Sequence, residues 1–228
     1  MERDPIVTKP PSGHWSDAYP ELGRGPVSLD DCVSREFYEK EREHVFRKNW
    51  LYVGRVERLP RKGSYFTREL GFANTSIIVV RGKDDVIRAF HNICPHRGNK
   101  LVWRDDPFEE VEGQSPALYC RFHGWSFELD GSLIAPTRKD LLLDFDPDKC
   151  RVPPVQCDVW EGFIFINLNP DNTESVRNFL GELARGIEGY PFAGPHQVYR
   201  FKAEIQCGCS RYHRPGRMGC PAFGLFAG

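Results

Sequence analysis

The chain has 228 residues, 40% of them hydrophobic and 13% aromatic, enough for one large or two small domains with a sizeable core. Its 31 Lys and Arg stand against 32 Asp and Glu, a formal net charge of −1, which argues against nucleic acid or an anionic membrane surface as the main partner. No apolar run approaches the ~18 residues of a membrane span, and no apolar stretch follows the charged N-terminus, so a cytoplasmic location is expected.

In chain order, residues 1–33 are rich in proline (Pro5, Pro10, Pro11, Pro20, Pro26) and read as an extended arm. Ser34 then has the chemistry of a helix N-cap, with Glu36 placed to favour the helix dipole. The lead-in helix is expected over residues 34–50, to about Asn49, with Phe37, Tyr38, Val45 and Phe46 on one apolar side. From Trp50 the texture becomes β-rich. Short runs at 51–54, 64–69, 75–81, 86–90, 118–120, 126–129 and 162–168 are separated by turn residues such as Gly82-Lys83-Asp84 and Asp130-Gly131. Many short strands at this spacing predict small antiparallel sheets. A second helix is expected from about Thr173 to Ile187, with Val176, Leu180 and Leu183 at helical spacing, and a further strand over 197–206. The expected fold is mainly β, α+β overall, with flanking helices. The last 22 residues hold five Gly, three Cys and three Arg but no Asp or Glu, and little regular structure is expected there.

Eight cysteines in a reducing compartment suggest metal or redox work before disulfides. Two loops concentrate that chemistry: Cys94-Pro95-His96-Arg97-Gly98 and Cys120-Arg121-Phe122-His123-Gly124-Trp125. Each offers one thiolate and one imidazole at short range, followed by a glycine whose backbone freedom suits a loop drawn around an inorganic group. A [2Fe–2S] centre needs two terminal ligands on each iron, and in its Rieske variety two His replace two Cys on one of them. A neutral imidazole in place of an anionic thiolate lowers the negative charge, so an added electron is repelled less. The reduction potential rises accordingly, to about −150 to +300 mV. Cys94, His96, Cys120 and His123 are the candidate ligands of one such cluster. The thiolates would hold the buried iron and the imidazoles the outer one, which makes the histidine side the electron exit. Structural zinc is the rival for the same four residues, but zinc modules usually pair like ligands within a loop, whereas both loops here mix them.

The other candidates have plainer readings. Trp125 reads as a shield of the cluster or as ordinary core, and Arg97 as a stabiliser of cluster charge or a solvated loop residue. His91 reads as structural; His14, His44 and His196 have no ligand pattern around them. Cys32, Cys150 and Cys157 read as small buried side chains. Cys207, Cys209, His213 and Cys220 have no surrounding fold to preorganise a metal site.

With both loops in view, the sequence resembles the α (large) subunit of Rieske non-haem iron ring-hydroxylating oxygenases. The resemblance runs from about Phe37 to Ile205. It rests on the two loop motifs, on Phe46-Arg47-Lys48-Asn49-Trp50 and on Asp158-Val159-Trp160-Glu161-Gly162-Phe163. It implies a Rieske domain over 51–168 and the start of a catalytic domain over 169–206, with 207–228 departing from the family as an irregular tail. It also implies an oxidoreductase, a mono- or dioxygenase that takes electrons from a reductase or ferredoxin. Such an enzyme oxidises an aromatic or related apolar substrate in a homotrimeric or hetero-oligomeric assembly. The intact family member also carries a mononuclear Fe(II) held by two His and a carboxylate. After residue 206 this sequence offers only His213 and no acid, so truncation or a shifted reading frame is expected from about residue 208. No catalytic residue is assigned, and hydroxylation by the chain alone is not expected. A stand-alone Rieske ferredoxin is the alternative; the long arm and lead-in helix count against that compact carrier. The 23 residues 97–119 between His96 and Cys120 exceed the family's usual spacer, and the acidic stretch 104–113 reads as a polar loop insertion.

Overall fold

A computed structural model describes residues 33–106, 109–137, 146–190 and 192. The fold is mainly β and antiparallel, as the strand spacing predicts. Strands β1 (Leu51–Arg55), β2 (Ser64–Leu70), β3 (Thr75–Arg81), β4 (Ile87–His91), β5 (Glu112–Gln114), β6 (Leu118–Tyr119), β7 (Ser126–Phe127), β8 (Leu133–Ala135), β9 (Pro154–Trp160) and β10 (Phe163–Asn167) build two sheets. Seven strands form one in the order β1-β10-β9-β4-β3-β2-β5, and β6-β7-β8 form the other.

β3 explains how the two sheets relate. Its run Thr75-Ser76-Ile77-Ile78-Val79-Val80-Arg81 is apolar on successive residues, the pattern of a strand covered on both faces. Ile77 and Val79 enter a core with Phe46, Leu51, Val53, Phe66, Ile164 and Ile166. Ile78 and Val80 face the other way, into a core with Phe90, Leu101, Leu118, Trp125, Phe127 and Val152. Cys94 and Cys120 belong to this second core. The small sheet therefore packs over one face of the large one, and the two cysteine loops grow out of that contact.

Three strands escape the sequence pattern. β9 begins at Pro154, tolerable as a first strand residue because it has no ladder N–H to give. β8 is three residues long, too short to show a period. β5 lies in the acidic stretch read as a loop insertion, and that reading is corrected in part. Thr67 Oγ1 accepts from Val111 N at 2.7 Å and Val111 O accepts from Thr67 N at 2.8 Å. Glu110 pairs with Arg68 at 3.0 Å and Glu112 with Arg58. Buried Val111, between those paired acids, fastens the stretch to the edge of β2.

Both expected helices are also revised. Ser34 caps α1 (Arg35–Glu41), its hydroxyl accepting from Phe37 N at 3.2 Å. The helix then widens into a π turn over Arg42–Phe46 and stops short of Asn49. This extra width turns Phe46 inward against Phe72, centroids 5.3 Å apart, and leaves Val45 exposed. The second helix is two pieces, α2 (Val176–Leu180) and α3 (Glu182–Ile187), split where Gly181 adopts φ +52°. Val176 and Ala184 are buried, while Leu183 points to solvent. Residues 1–32 of the arm expected over 1–33, the strand over 197–206 and the tail lie outside the described residues. Among the described residues no helix is long and apolar enough to cross a membrane.

Candidate metal centre

The first cysteine loop leaves the end of β4, and the second is the turn of the β6–β7 hairpin. The backbone builds them on one frame. Cys94 N donates to Asn99 O at 2.7 Å, and Cys120 N to Trp125 O at 2.8 Å. Gly98 N donates to Cys94 O, and Gly124 N to Cys120 O, both at 2.9 Å. Gly98 and Gly124 sit at φ +75° and +73°, the left-handed region that strains other residues. Two six-residue loops of matching shape thus face one another, although His stands two residues after Cys in the first and three after it in the second.

The four sequence-selected side chains are brought together as two pairs. The Cys94 and Cys120 thiols lie at the base within hydrogen-bonding reach of each other and almost wholly buried. Burial pushes the Cys94 thiol up to about 11, aided by Cys120 and opposed by the backbone N–H groups of His96 and Arg97. The His96 and His123 rings stand edge to face with centroids 4.8 Å apart, both partly exposed. Burial, then His123 and Arg97, hold the His96 pKa below its ordinary value, which favours the neutral imidazole that a metal needs.

The donor chemistry fits a two-iron cluster. Among the described residues, His96 Nδ1 and His123 Nδ1 are buried without a hydrogen-bond partner, an arrangement that costs free energy unless another group takes up the lone pair. No three His, Cys, Asp or Glu side chains among the described residues converge on a single ion. A thiol pair below and an imidazole pair above match two metals better than one.

Residues 49–145 match the family model of the Rieske [2Fe–2S] domain. The chain carries a Rieske domain. The carnitine monooxygenase oxygenase subunit of Escherichia coli K12 is 36% identical over 154 residues, which are 68% of this chain and 39% of that protein. The glycine betaine monooxygenase oxygenase subunit of Pseudomonas aeruginosa PAO1 is 33% identical over 159 residues, 70% of this chain and 34% of that one. Among solved structures, a quaternary ammonium Rieske monooxygenase superposes with TM-score 0.62 at 32% identity, over 70% of this chain and 41% of its own. Naphthalene 1,2-dioxygenase with bound indole gives 0.60 at 28%, over 68% and 33%. The chain thus spans about two fifths or less of the length of these relatives.

Around the Rieske loops, several side chains take defined roles. Trp125 is 3% exposed and lies flat on His96, centroids 4.6 Å apart and planes 3° from parallel. It is both core and cover for the imidazole. Arg97 is exposed. Phe122 is exposed and packs on His123 with centroids 4.0 Å apart. His91 ends β4, and its Nδ1 lies 3.1 Å from Thr75 Oγ1. His44 is exposed; Cys150 and Cys157 are partly buried against the two cores. Cys32, Cys207, Cys209, Cys220, His14, His196 and His213 lie outside the described residues.

Sequence reasoning passed over Asn92. It is 3% exposed and joins the two ends of the first loop. Its Oδ1 accepts from Leu101 N at 3.0 Å and Val102 N at 2.9 Å. Its Nδ2 donates to Val102 O at 2.7 Å and to Ser76 Oγ at 3.1 Å. One Asn two residues before a cysteine carries no such signal in a single sequence.

Proposed function

We propose that this chain is the electron-transfer portion of a Rieske oxygenase subunit, with Cys94 and Cys120 binding one iron and His96 and His123 the other. The carrying observation is the pair of buried, unpartnered Nδ1 atoms set beside a buried thiol pair on twin loops. Bound there, a [2Fe–2S] cluster supplies one-electron transfer. The chain's residues do the rest. The thiols anchor from within the second core, Trp125 covers His96, and the two imidazoles form the edge nearest solvent, which suits electron passage to and from other proteins.

By the relatives' example, a reductase or ferredoxin supplies the electrons and a mononuclear iron receives them for O₂-dependent oxidation of a small substrate within an oligomer. The relatives named above act on carnitine and glycine betaine, and one solved structure is a naphthalene dioxygenase. The Rieske part serves both chemistries. The proposed division is a lead-in segment over 34–50, helical as far as Phe46, a Rieske domain over 51–168 and the beginning of a catalytic domain over 169–206. The stand-alone ferredoxin is less favoured because the likeness to oxygenase subunits covers 154 residues, well beyond the 49–145 of the domain.

The test is anaerobic reconstitution of the 228-residue protein with iron and sulfide, followed by visible and EPR spectroscopy. The expected result is two irons per chain with a Rieske spectrum, lost in Cys120→Ala and His123→Ala. A colourless protein that takes zinc and no iron would sink the reading.

A further inference from the structure

The twin loops carry different residues at their sixth position, and each reaches across to the other loop. In the second loop this residue is Trp125, stacked on His96 of the first. In the first it is Asn99, whose Nδ2 lies 4.0 Å from Cys120 Sγ of the second. The same Nδ2 donates to Lys100 O at 2.7 Å. Because that carbonyl accepts only from an N–H, the bond sets which end of the amide faces the sulfur: a donor, not the oxygen. The main-chain bond from Cys94 N to Asn99 O holds the residue in place independently of its side chain.

We propose that Asn99 is a positioning residue that tunes the cluster through Cys120, its side-chain N–H stabilising charge on that sulfur and so raising the reduction potential. The inference rests on Cys120 being a cluster ligand. An N–H directed at a metal-bound thiolate gains strength as negative charge on the sulfur grows, so it favours the reduced form. Hydrogen bonds to the sulfurs are among the protein's means of setting such potentials. The 4.0 Å separation is at the long end for a sulfur acceptor, so a modest shift is expected.

The experiment compares wild type with Asn99→Leu, which keeps the bulk and removes the donor, and Asn99→Ala, which removes both. Each is reconstituted as the full chain; iron content, EPR spectrum and midpoint potential are measured. The expected outcome is full cluster loading in both variants, with the reduction equilibrium weakened roughly three- to tenfold. That is a fall of about 28 to 59 mV at 59 mV per decade for one electron. Normal loading with an unchanged or higher potential overturns the proposal. So does loss of the cluster from both variants while wild type retains it, since Asn99 would then serve assembly and not tuning. A wild type without a Rieske spectrum overturns the ligand assignment instead, which separates the two failures.

Discussion

Replacing Asn92 by leucine removes a near-isosteric side chain from the base of the first loop and tests whether that loop is held by one amide. In the native fold this amide satisfies the N–H groups of Leu101 and Val102 and the carbonyl of Val102. Leucine leaves all three without that partner. A buried donor or acceptor stranded in this way costs about 1–3 kcal/mol. Leu101 is 3% exposed and suffers in full, whereas half-buried Val102 regains part of its loss from water. A total of about 3 kcal/mol is expected. In a domain of this size that is a fall of about 6–12 °C in Tm. Urea unfolding of the reconstituted protein, followed by far-UV circular dichroism and by cluster absorbance, measures it. The loss should appear in both signals, with the cluster released earlier than in wild type. A stability within about 0.5 kcal/mol of wild type would refute the reasoning, because the loop would then be held by its other contacts.

Two further predictions separate local causes. Gly98→Ala and Gly124→Ala place the same methyl at nearly the same positive φ. At Gly98 the nearest atom is Ile93 Cδ1 at 3.8 Å, but at Gly124 it is Thr137 Oγ1 at 2.8 Å. Gly98→Ala should cost about 1 kcal/mol of backbone strain, and Gly124→Ala measurably more in the same urea assay; equal costs would remove the steric argument. Burial holds His91 below its ordinary 6.5, so its charged form is disfavoured in the fold relative to the unfolded chain. Its contribution is therefore intact above pH 6.5 and is lost as pH falls from there towards the lowered folded value. Urea midpoints between pH 7.5 and 5.5 should decline less steeply in His91→Gln than in wild type, and identical slopes would contradict this.

Much of this protein was legible in one dimension because the relevant physics is local. The β-rich runs and turn residues that mark β1 to β4, β6, β7 and β10 act over a few neighbours. The two mixed Cys–His loops announce an iron–sulfur centre because ligand type and spacing are themselves the chemistry. The Ser34 cap was readable for the same reason. Other features depend on what lies across the fold. The stretch leading into β5 reads as a charged loop until Arg68 and Arg58 stand opposite Glu110 and Glu112. The helix after Asn172 looks continuous until Gly181 takes a positive φ. Asn92 and Asn99 look like ordinary polar loop residues. Val102 reaches Asn92 when the first loop closes on itself, and Cys120 reaches Asn99 because the small sheet packs over the large one and brings the two loops face to face. The sequence by itself singled out the four side chains proposed to hold the cluster. Tertiary packing decided how they are paired, which imidazole is covered, and which amide reaches the sulfur.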